Sequence, residues 1–300
     1  MPDELQVVQI YRKFKRANDH ALVVLAMKIP YWLIRRKGRY WLCVRQEEDG
    51  FAIRQQLKKY DLENANWPPK AMADLPHVGN GTIVLFFYIL ILTSFFIAQQ
   101  STHIESAGAM IRGKFIVDGD WWRPFTALTL HADIGHLIGN IVSGVCFGLV
   151  VNWTFGSGLG WLMILLSGGL GNVLTAHFAG RGDTIISLGA STAVFAALGL
   201  LVGHALASNF SPNGLPALRY RLAPLAAGLI LLFTLGVGDE RTDVAAHFFG
   251  FLAGIGFGAM GERLTFRHHT HLSANGHRLC HLLSLTLLAT AWVSAAIVGG

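Results

Sequence analysis

The chain has 300 residues, of which 52% are hydrophobic and only 14% are charged. Soluble domains usually carry about 25% charged residues, so this composition excludes an ordinary soluble protein and predicts that lipid surrounds much of the chain. Three widely separated cysteines, without a CxxC pair, exclude a disulfide framework and a zinc ribbon. Of the 24 Lys and Arg, 14 lie in residues 1–80. A basic flank beside a membrane span explains this better than a nucleic-acid partner, and no nucleic acid is expected.

Residues 1–78 are predicted to form a small α+β domain, expected to be cytosolic, and its linker. Two strands are expected around Lys37-Gly38, within the segment ALVVLAMKIPYWLIRRKGRYWLCVRQ. The following DGFAIRQQLKKYDLEN has the periodicity of an amphipathic helix, and NWPPK then interrupts the chain before the first apolar segment.

Seven apolar segments are long enough to cross a bilayer, since about 20 helical residues span a hydrocarbon core of about 30 Å. They cover residues 82–98, 134–152, 157–179, 186–206, 217–236, 244–261 and 281–299. If the N-terminus lies inside, the inner segments carry 19 Lys and Arg and the outer segments carry five. Because positive residues favour the cytoplasmic side, we expect the N-terminus in the cytoplasm and the C-terminus outside.

Residues 99–130, between the first two spans, are too many for a simple connector. They contain GDWWRPF, whose aromatic and basic residues suit a membrane interface. Two interpretations stay open, a structured and partly embedded outer loop or an ordinary interfacial loop.

No Asp or Glu lies within the seven predicted spans, which disfavours a proton-coupled carrier and a Ser-His-Asp triad inside the membrane. Among the polar residues that do enter the spans, His136, Ser191 and His247 lie within a few turns of the outer end of the second, fourth and sixth spans. These three side chains can therefore meet at one depth.

The sixth span contains AHFFGFLAGIGFG, which places Gly250 and Gly254 on nearly the same helix face as His247. Glycines at every fourth residue let a second helix approach closely. A general base needs such an approach, because it must come within about 3 Å of its nucleophile. Gly189 and Ala190 leave room for a substrate backbone beside Ser191. The alternative, a glycine seam that packs two helices beside an uninvolved histidine, stays open.

Four motifs, in this order and on these spans, resemble the rhomboid family of intramembrane serine proteases over about 220 residues. They are WWR (Trp121, Trp122, Arg123), HADIGHLIGN (His131, His136, Asn140), GASTAVF (Gly189, Ser191) and AHFFGFLAG (His247, Gly250, Gly254). The resemblance implies an all-α polytopic fold with a six-helix core over residues 79–263. Many bacterial members have six spans, so the inner loop and seventh helix over 264–300 make this a six-plus-one form. It also implies a serine endopeptidase, without cofactor or metal, that cleaves single-span membrane proteins near the outer face.

The resemblance further implies a role for each matching residue. Ser191 would be the nucleophile and His247 its general base, while the Ser191 N–H, His136 and Asn140 would form the oxyanion hole. Supporting roles are implied for residues around this centre: His131 in the hydrogen-bonding site, Phe195 packing against the catalytic histidine, and Trp122 and Arg123 bracing the outer loop.

Two positions depart from the usual family pattern. Thr192 stands where glycine often follows the catalytic serine, and we expect it to narrow the substrate cleft. Asn152 stands in Gly148-xxx-Asn152-xxx-Gly156, where many members have Glu. Asn lacks the carboxylate charge, so packing or loop bracing is expected to differ there.

Other functions stay open beside proteolysis. One is a non-proteolytic rhomboid-like protein that binds membrane clients, and another is a transporter or haem protein that uses His136, His177, His204 and His247. The stretch RLTFRHHTHLSANGHRLCH, with five histidines, is expected to be a solvated inner loop rather than a metal site. The expected location is the inner membrane of a bacterium.

Overall fold

In the computed structural model the described residues are 5–45, 47–64, 81–179, 186–208, 218–236, 243–266 and 272–298. The chain divides into two compact units, one within residues 1–74 and one within residues 75–300. Each unit is described by itself.

The N-terminal unit is a three-stranded antiparallel sheet with two helices. Its strands are β1 (Gln6–Tyr11), β2 (Tyr31–Arg36) and β3 (Arg39–Val44), in the spatial order β1-β3-β2. Its helices are α1 (Phe14–Ala26) and α2 (Glu47–Glu63). The predicted hairpin is present, because Lys37 and Gly38 both adopt positive φ in the two-residue turn between β2 and β3.

The prediction of a strand is wrong at the start of the region that was assigned to two strands. The run Ala21–Ala26 continues helix α1, whose buried residues Ala17, Ala21 and Val24 face the core at helical spacing. A short apolar run fits a strand or a helix equally well, and the helical spacing with Ala17 decides between them. Strand β1 was not expected from the sequence.

A polar chain links three elements of this unit. The Tyr11 hydroxyl lies 2.8 Å from His20 Nδ1, and His20 Nε2 lies 2.9 Å from an Asp61 carboxylate oxygen. Arg16 donates to the other carboxylate oxygen at 3.2 Å. Since His20 is almost fully buried, these bonds satisfy a polar side chain that would otherwise be costly inside the core.

The second unit consists of long apolar helices and, between the first two of them, a segment of short helices and strands. This short-element segment covers residues 104–129. The long helices are α3 (Gly81–Gln99), α7 (Ile134–Phe155), α8 (Ser157–Phe178), α9 (Ser191–Ser208), α10 (Leu218–Gly236), α11 (Val244–Gly261) and α12 (Ala274–Val298). The intervening segment holds α4 (Ile104–Gly108), β4 (Met110–Ile111), α5 (Arg112–Ile116), α6 (Arg123–Thr126) and a 3-10 turn (Ala127–Thr129). The described part of the segment 99–130 is therefore structured, as one of the two interpretations expected.

Within the described residues, six helices are long and apolar enough to cross a membrane, and seven spans were predicted. In α10 the stretch that could be assessed is Leu222–Gly236, which is apolar but shorter than a span. The predicted inner loop is wrong in its last part, because α12 begins at Ala274 rather than near residue 281. Its first turns are half-buried against the start of α8, where His281 Nε2 lies 3.2 Å from the Ser157 hydroxyl. Residues 267–271 of the histidine-rich stretch lie outside the described residues.

Helices α9 and α11 are in backbone-to-backbone contact. A Cβ atom at Gly250, Gly254 or Gly258 of α11 would collide with the carbonyl oxygen of a residue on α9. In return, a Cβ at Gly199 or Gly203 of α9 would collide with a carbonyl on α11. The two helices can approach this closely only because small residues face each other along the whole crossing.

Candidate active site

The contact between α9 and α11 brings Ser191 and His247 together. Ser191 is the first residue of α9, and its Oγ lies 2.8 Å from Nε2 of His247, in the first turn of α11. The other ring nitrogen, Nδ1, lies 2.8 Å from the carbonyl oxygen of Gly236. A carbonyl can only accept, so Nδ1 carries the proton and donates it to Gly236. Nε2 is then the unprotonated nitrogen, and it accepts from the Ser191 hydroxyl.

The His247 ring is fixed by its surroundings as well as by its hydrogen bonds. It is 6% exposed, and its ring centroid lies 4.6 Å from that of Phe195, one turn along α9 from Ser191. The first turn of α11 is capped by Asp243, whose carboxylate accepts from the Ala246 N–H at 2.9 Å. Position, ring plane and tautomer of the histidine are thus all set by neighbouring groups.

The residues just before Ser191 are held against the short-element segment. The Gly189 N–H donates to the Ala127 carbonyl at 2.9 Å, and the Ala190 N–H points to His131 Nε2 at 3.4 Å. Immediately upstream, β5 (Ile186–Ser187) pairs antiparallel with β4. The backbone of residues 186–190, which leads into Ser191, is therefore extended. Its hydrogen bonds to the short-element segment and to His131 hold it on one side.

Gly189 has a conformation and a neighbour that both favour glycine. Its φ is +135°, and an added Cβ would lie 2.7 Å from His136 Nε2. The same Cβ position is 3.6 Å from Ser191 Oγ, so the His136 ring lies beside the nucleophile. A side chain at position 189 would push the His136 ring out of this place.

Asn140 lies one turn below His136 on α7 and is 5% exposed. The Asn140 side-chain Nδ2 donates to the His136 backbone carbonyl at 3.0 Å. The Asn140 backbone carbonyl accepts from the Tyr88 hydroxyl on α3 at 2.8 Å. Helix α7 begins with a cap at Asp133, whose carboxylate accepts from the His136 N–H at 2.8 Å. These bonds fix the helix turn from which His136 and Asn140 project.

His131 is 1% exposed and lies between the short-element segment and α7. Burial, assisted by the nearby His136, lowers the pKa of His131 to about 4. The ring is therefore neutral at physiological pH, as its Nε2 must be to accept from the Ala190 N–H.

Trp122 and Arg123 tie the short-element segment together. Trp122 Nε1 donates to the Ala107 carbonyl at 3.1 Å, and Arg123 forms a buried ion pair with Asp120 at 2.7 Å. Arg123 also donates to the carbonyls of Ser106 and Ala109, at 3.1 and 2.7 Å. One guanidinium thus binds one carboxylate and two backbone carbonyls of this segment.

The structure shows what Thr192 and Asn152, the two residues that depart from the family pattern, contact. Thr192 is 4% exposed, and its methyl group faces Gly171 on α8, where an added Cβ would lie 2.8 Å from it. Its side chain fills the helix crossing, so the expectation that it narrows the cleft is not supported by its packing. Asn152 donates to the Gly81 carbonyl at 3.3 Å and thereby joins the end of α7 to the start of α3.

The remaining intramembrane histidines do not converge on this centre. His177 Nδ1 lies 2.9 Å from the Val173 carbonyl of its own helix. His204 Nδ1 lies 2.9 Å from a Glu262 carboxylate oxygen, near the other end of α9 and α11. Among the described residues, no group of three or more His, Cys, Asp or Glu side chains could hold a metal ion.

Known proteins share sequence similarity with part of this chain. Residues 118–263 match the family model of the rhomboid domain. This chain carries a rhomboid domain and is similar to curated rhomboid proteins. Together with its long apolar helices, the rhomboid domain makes it an integral, multi-pass membrane protein.

Two relatives illustrate how far the similarity extends. RHOMBOID-like protein 5 of Arabidopsis thaliana is 32% identical over 159 residues, which are 52% of this chain and 48% of that protein. Rhomboid protease GluP of Bacillus subtilis is 28% identical over 204 residues, which are 62% of this chain and 38% of that protein. The chain thus spans about half the length, or less, of these curated relatives.

Sequence patterns did not indicate the Gly236 carbonyl. Every residue has a carbonyl, so no residue type marks one that orients a histidine. The only sequence signal is negative, the lack of an intramembrane carboxylate that could do so.

Proposed function

We propose that this rhomboid protein is an intramembrane serine endopeptidase with Ser191 as nucleophile and His247 as general base. The observation that carries the proposal is the 2.8 Å contact between Ser191 Oγ and His247 Nε2, with Nδ1 committed to the Gly236 carbonyl. Relatives that include a protein named rhomboid protease support the same chemistry.

In the first step Ser191 Oγ attacks the scissile carbonyl carbon while its proton passes to His247 Nε2. The imidazolium that forms keeps its Nδ1–H hydrogen bond to the Gly236 carbonyl, whose dipole stabilises the new positive charge. The proton at Nε2 then passes to the leaving amine as the C–N bond breaks, which leaves an acyl-enzyme on Ser191. Water then attacks the carbonyl carbon of this ester while its proton passes to His247 Nε2. That proton returns to Ser191 Oγ as the ester bond breaks and the carboxylic acid product leaves.

The negative charge on the substrate oxygen would be stabilised at the start of α9. The first N–H groups of a helix have no intrahelical acceptor, and the helix dipole places partial positive charge there. The Ser191 N–H is such a group, and the His136 ring lies on the side of Ser191 that faces Gly189. Asn140 would complete this oxyanion hole by turning its amide from the His136 carbonyl to the substrate.

The substrates, by this proposal, are membrane proteins with a single span, which enter from the bilayer and are cut near its outer face. The excess of positive residues in the predicted inner segments supports an N-terminus inside and a C-terminus outside. We further propose that residues 1–78 form a cytosolic domain, and that the protein resides in a bacterial inner membrane.

A fluorophosphonate probe tests this proposal, because it reacts with activated serines. Detergent-purified protein is labelled alongside Ser191→Ala and His247→Ala, with thermal unfolding as a check on folding. The proposal expects labelling of the wild type and loss of labelling in both variants. Absence of labelling in folded wild-type protein would reject it and favour a rhomboid-like protein that binds membrane clients.

A further inference from the structure

The segment 127–131 runs alongside the residues that precede the nucleophile. Ala127 accepts from the Gly189 N–H, and His131 Nε2 accepts from the Ala190 N–H. Both bonds connect this segment to the two residues before Ser191. The position of the His131 ring therefore helps to set where the Ser191 backbone begins α9.

His131 itself is held from the side of α3. The last residue of α3 is Gln99, whose Oε1 accepts from the His131 N–H at 2.9 Å. Its Nε2 donates to the His131 carbonyl at 3.3 Å. One side-chain amide thus forms two hydrogen bonds with one residue's backbone, as a neighbouring β-strand would.

We propose that Gln99 is a positioning residue for the nucleophile, acting through the backbone of His131. The inference rests on the proposed peptidase function and adds α3 to the elements that set the active-site geometry.

Few other side chains could replace this amide. Glutamate offers acceptors but no donor for the His131 carbonyl, methionine offers neither, and asparagine is shorter by one methylene. His131 is 1% exposed, so water cannot readily replace the lost bonds. Loss of the amide would release the His131 backbone and, with it, the ring that accepts from Ala190.

The effect should appear in the reactivity of Ser191 rather than in probe binding. A displacement of about 1 Å at reacting groups can cost about 10²-fold in rate. Because Gln99 acts through two intervening contacts, we expect a smaller loss, about tenfold, in the maximal labelling rate. The probe concentration for half-maximal rate should change little, since Gln99 does not contact the nucleophile.

The experiment measures labelling rate against fluorophosphonate concentration for the full chain and for Gln99→Met. This variant keeps the side-chain length and removes both bonds to His131, together with an exposed 3.3 Å bond from Gln99 Nε2 to the Glu105 carboxylate. Gln100→Met is the matched control. The Gln100 side chain is exposed and, within the described residues, donates one long bond of 3.4 Å to the Phe96 carbonyl of α3. Gln99→Glu is the second variant, in case methionine impairs folding. It keeps a polar side chain of equal length but cannot donate when ionised.

The expected result is about a tenfold lower maximal labelling rate in both Gln99 variants, at an unchanged half-saturating concentration, while Gln100→Met matches the wild type. A purely structural role would lower the unfolding temperature and leave the labelling rate of the folded fraction unchanged. That outcome, or a wild-type rate in the folded Gln99 variants, would overturn the proposal. Failure of the wild type to label would instead count against the peptidase function itself.

Discussion

Gly254→Ala tests whether the α9–α11 contact sets the catalytic distance. An added Cβ would lie 3.0 Å from Ala196 Cα and closer still to the Ala196 carbonyl oxygen. The oxygen contact sets the separation. Because carbon and oxygen atoms pack no closer than about 3.3 Å, the helices must separate locally by about 1 Å or more. Gly254 lies two turns from His247 on the same face, so a comparable shift there would stretch the 2.8 Å bond to Ser191 beyond hydrogen-bonding range.

The expected cost has two parts. Overpacking of a helix crossing destabilises by about 1–3 kcal/mol, which thermal unfolding in detergent measures. The misplaced base should lower the fluorophosphonate labelling rate by about 10–100-fold at temperatures where the protein stays folded.

Gly256→Ala is the matched control on the same helix. Gly256 is exposed, and an added Cβ there has no atom of the described structure within 4 Å. It should label and unfold like the wild type. If Gly254→Ala also behaved like the wild type in both measurements, the reasoning that links this crossing to the catalytic distance would be refuted.

Three further predictions concern other parts of the chain. Trp292→Phe removes an N–H that donates to Thr129 Oγ1 at 3.2 Å and should lower stability by about 0.5–1.5 kcal/mol in thermal unfolding; an unchanged unfolding temperature would argue against this bond. Thr192→Gly should lower the unfolding temperature while leaving the half-saturating probe concentration unchanged, whereas a wider cleft would change that concentration. Burial alone would raise the pKa of the Asp61 carboxyl, but its hydrogen bonds and the charge of His20 lower it below the usual value. This stabilisation is present above the unfolded pKa of about 3.9 and is lost as pH falls through the lowered folded value. Hydrogen exchange of residues 5–64 should therefore accelerate on acidification, and Asp61→Asn should flatten that dependence; equal acid sensitivity in the variant would contradict it.

The sequence predicted most of the membrane architecture because its signals are local. Apolar runs mark the helices, and the glycine spacing beside His247 marks the face that packs closely. The boundaries of α12 were less accessible, because its first turns carry polar histidines. Those residues contact the start of α8, and no local pattern reveals so distant a partner.

The contacts that orient the candidate site are mostly long-range and involve backbone atoms. Gly236 orients His247 through its backbone carbonyl. The Gln99 side chain binds the backbone N–H and carbonyl of His131. Residue identity says little about such contacts, because every residue has a carbonyl. The sequence could therefore propose Ser191 and His247, but not the groups that hold them in register.

Locating the probe on the protein would show whether Ser191 is the nucleophile and whether it depends on His247. Wild-type protein is labelled with the fluorophosphonate to completion, digested, and analysed by tandem mass spectrometry. We predict one phosphonylated residue, Ser191, and no adduct when His247 is replaced by alanine. An adduct on another serine, or an adduct on Ser191 that forms equally fast without His247, would contradict it.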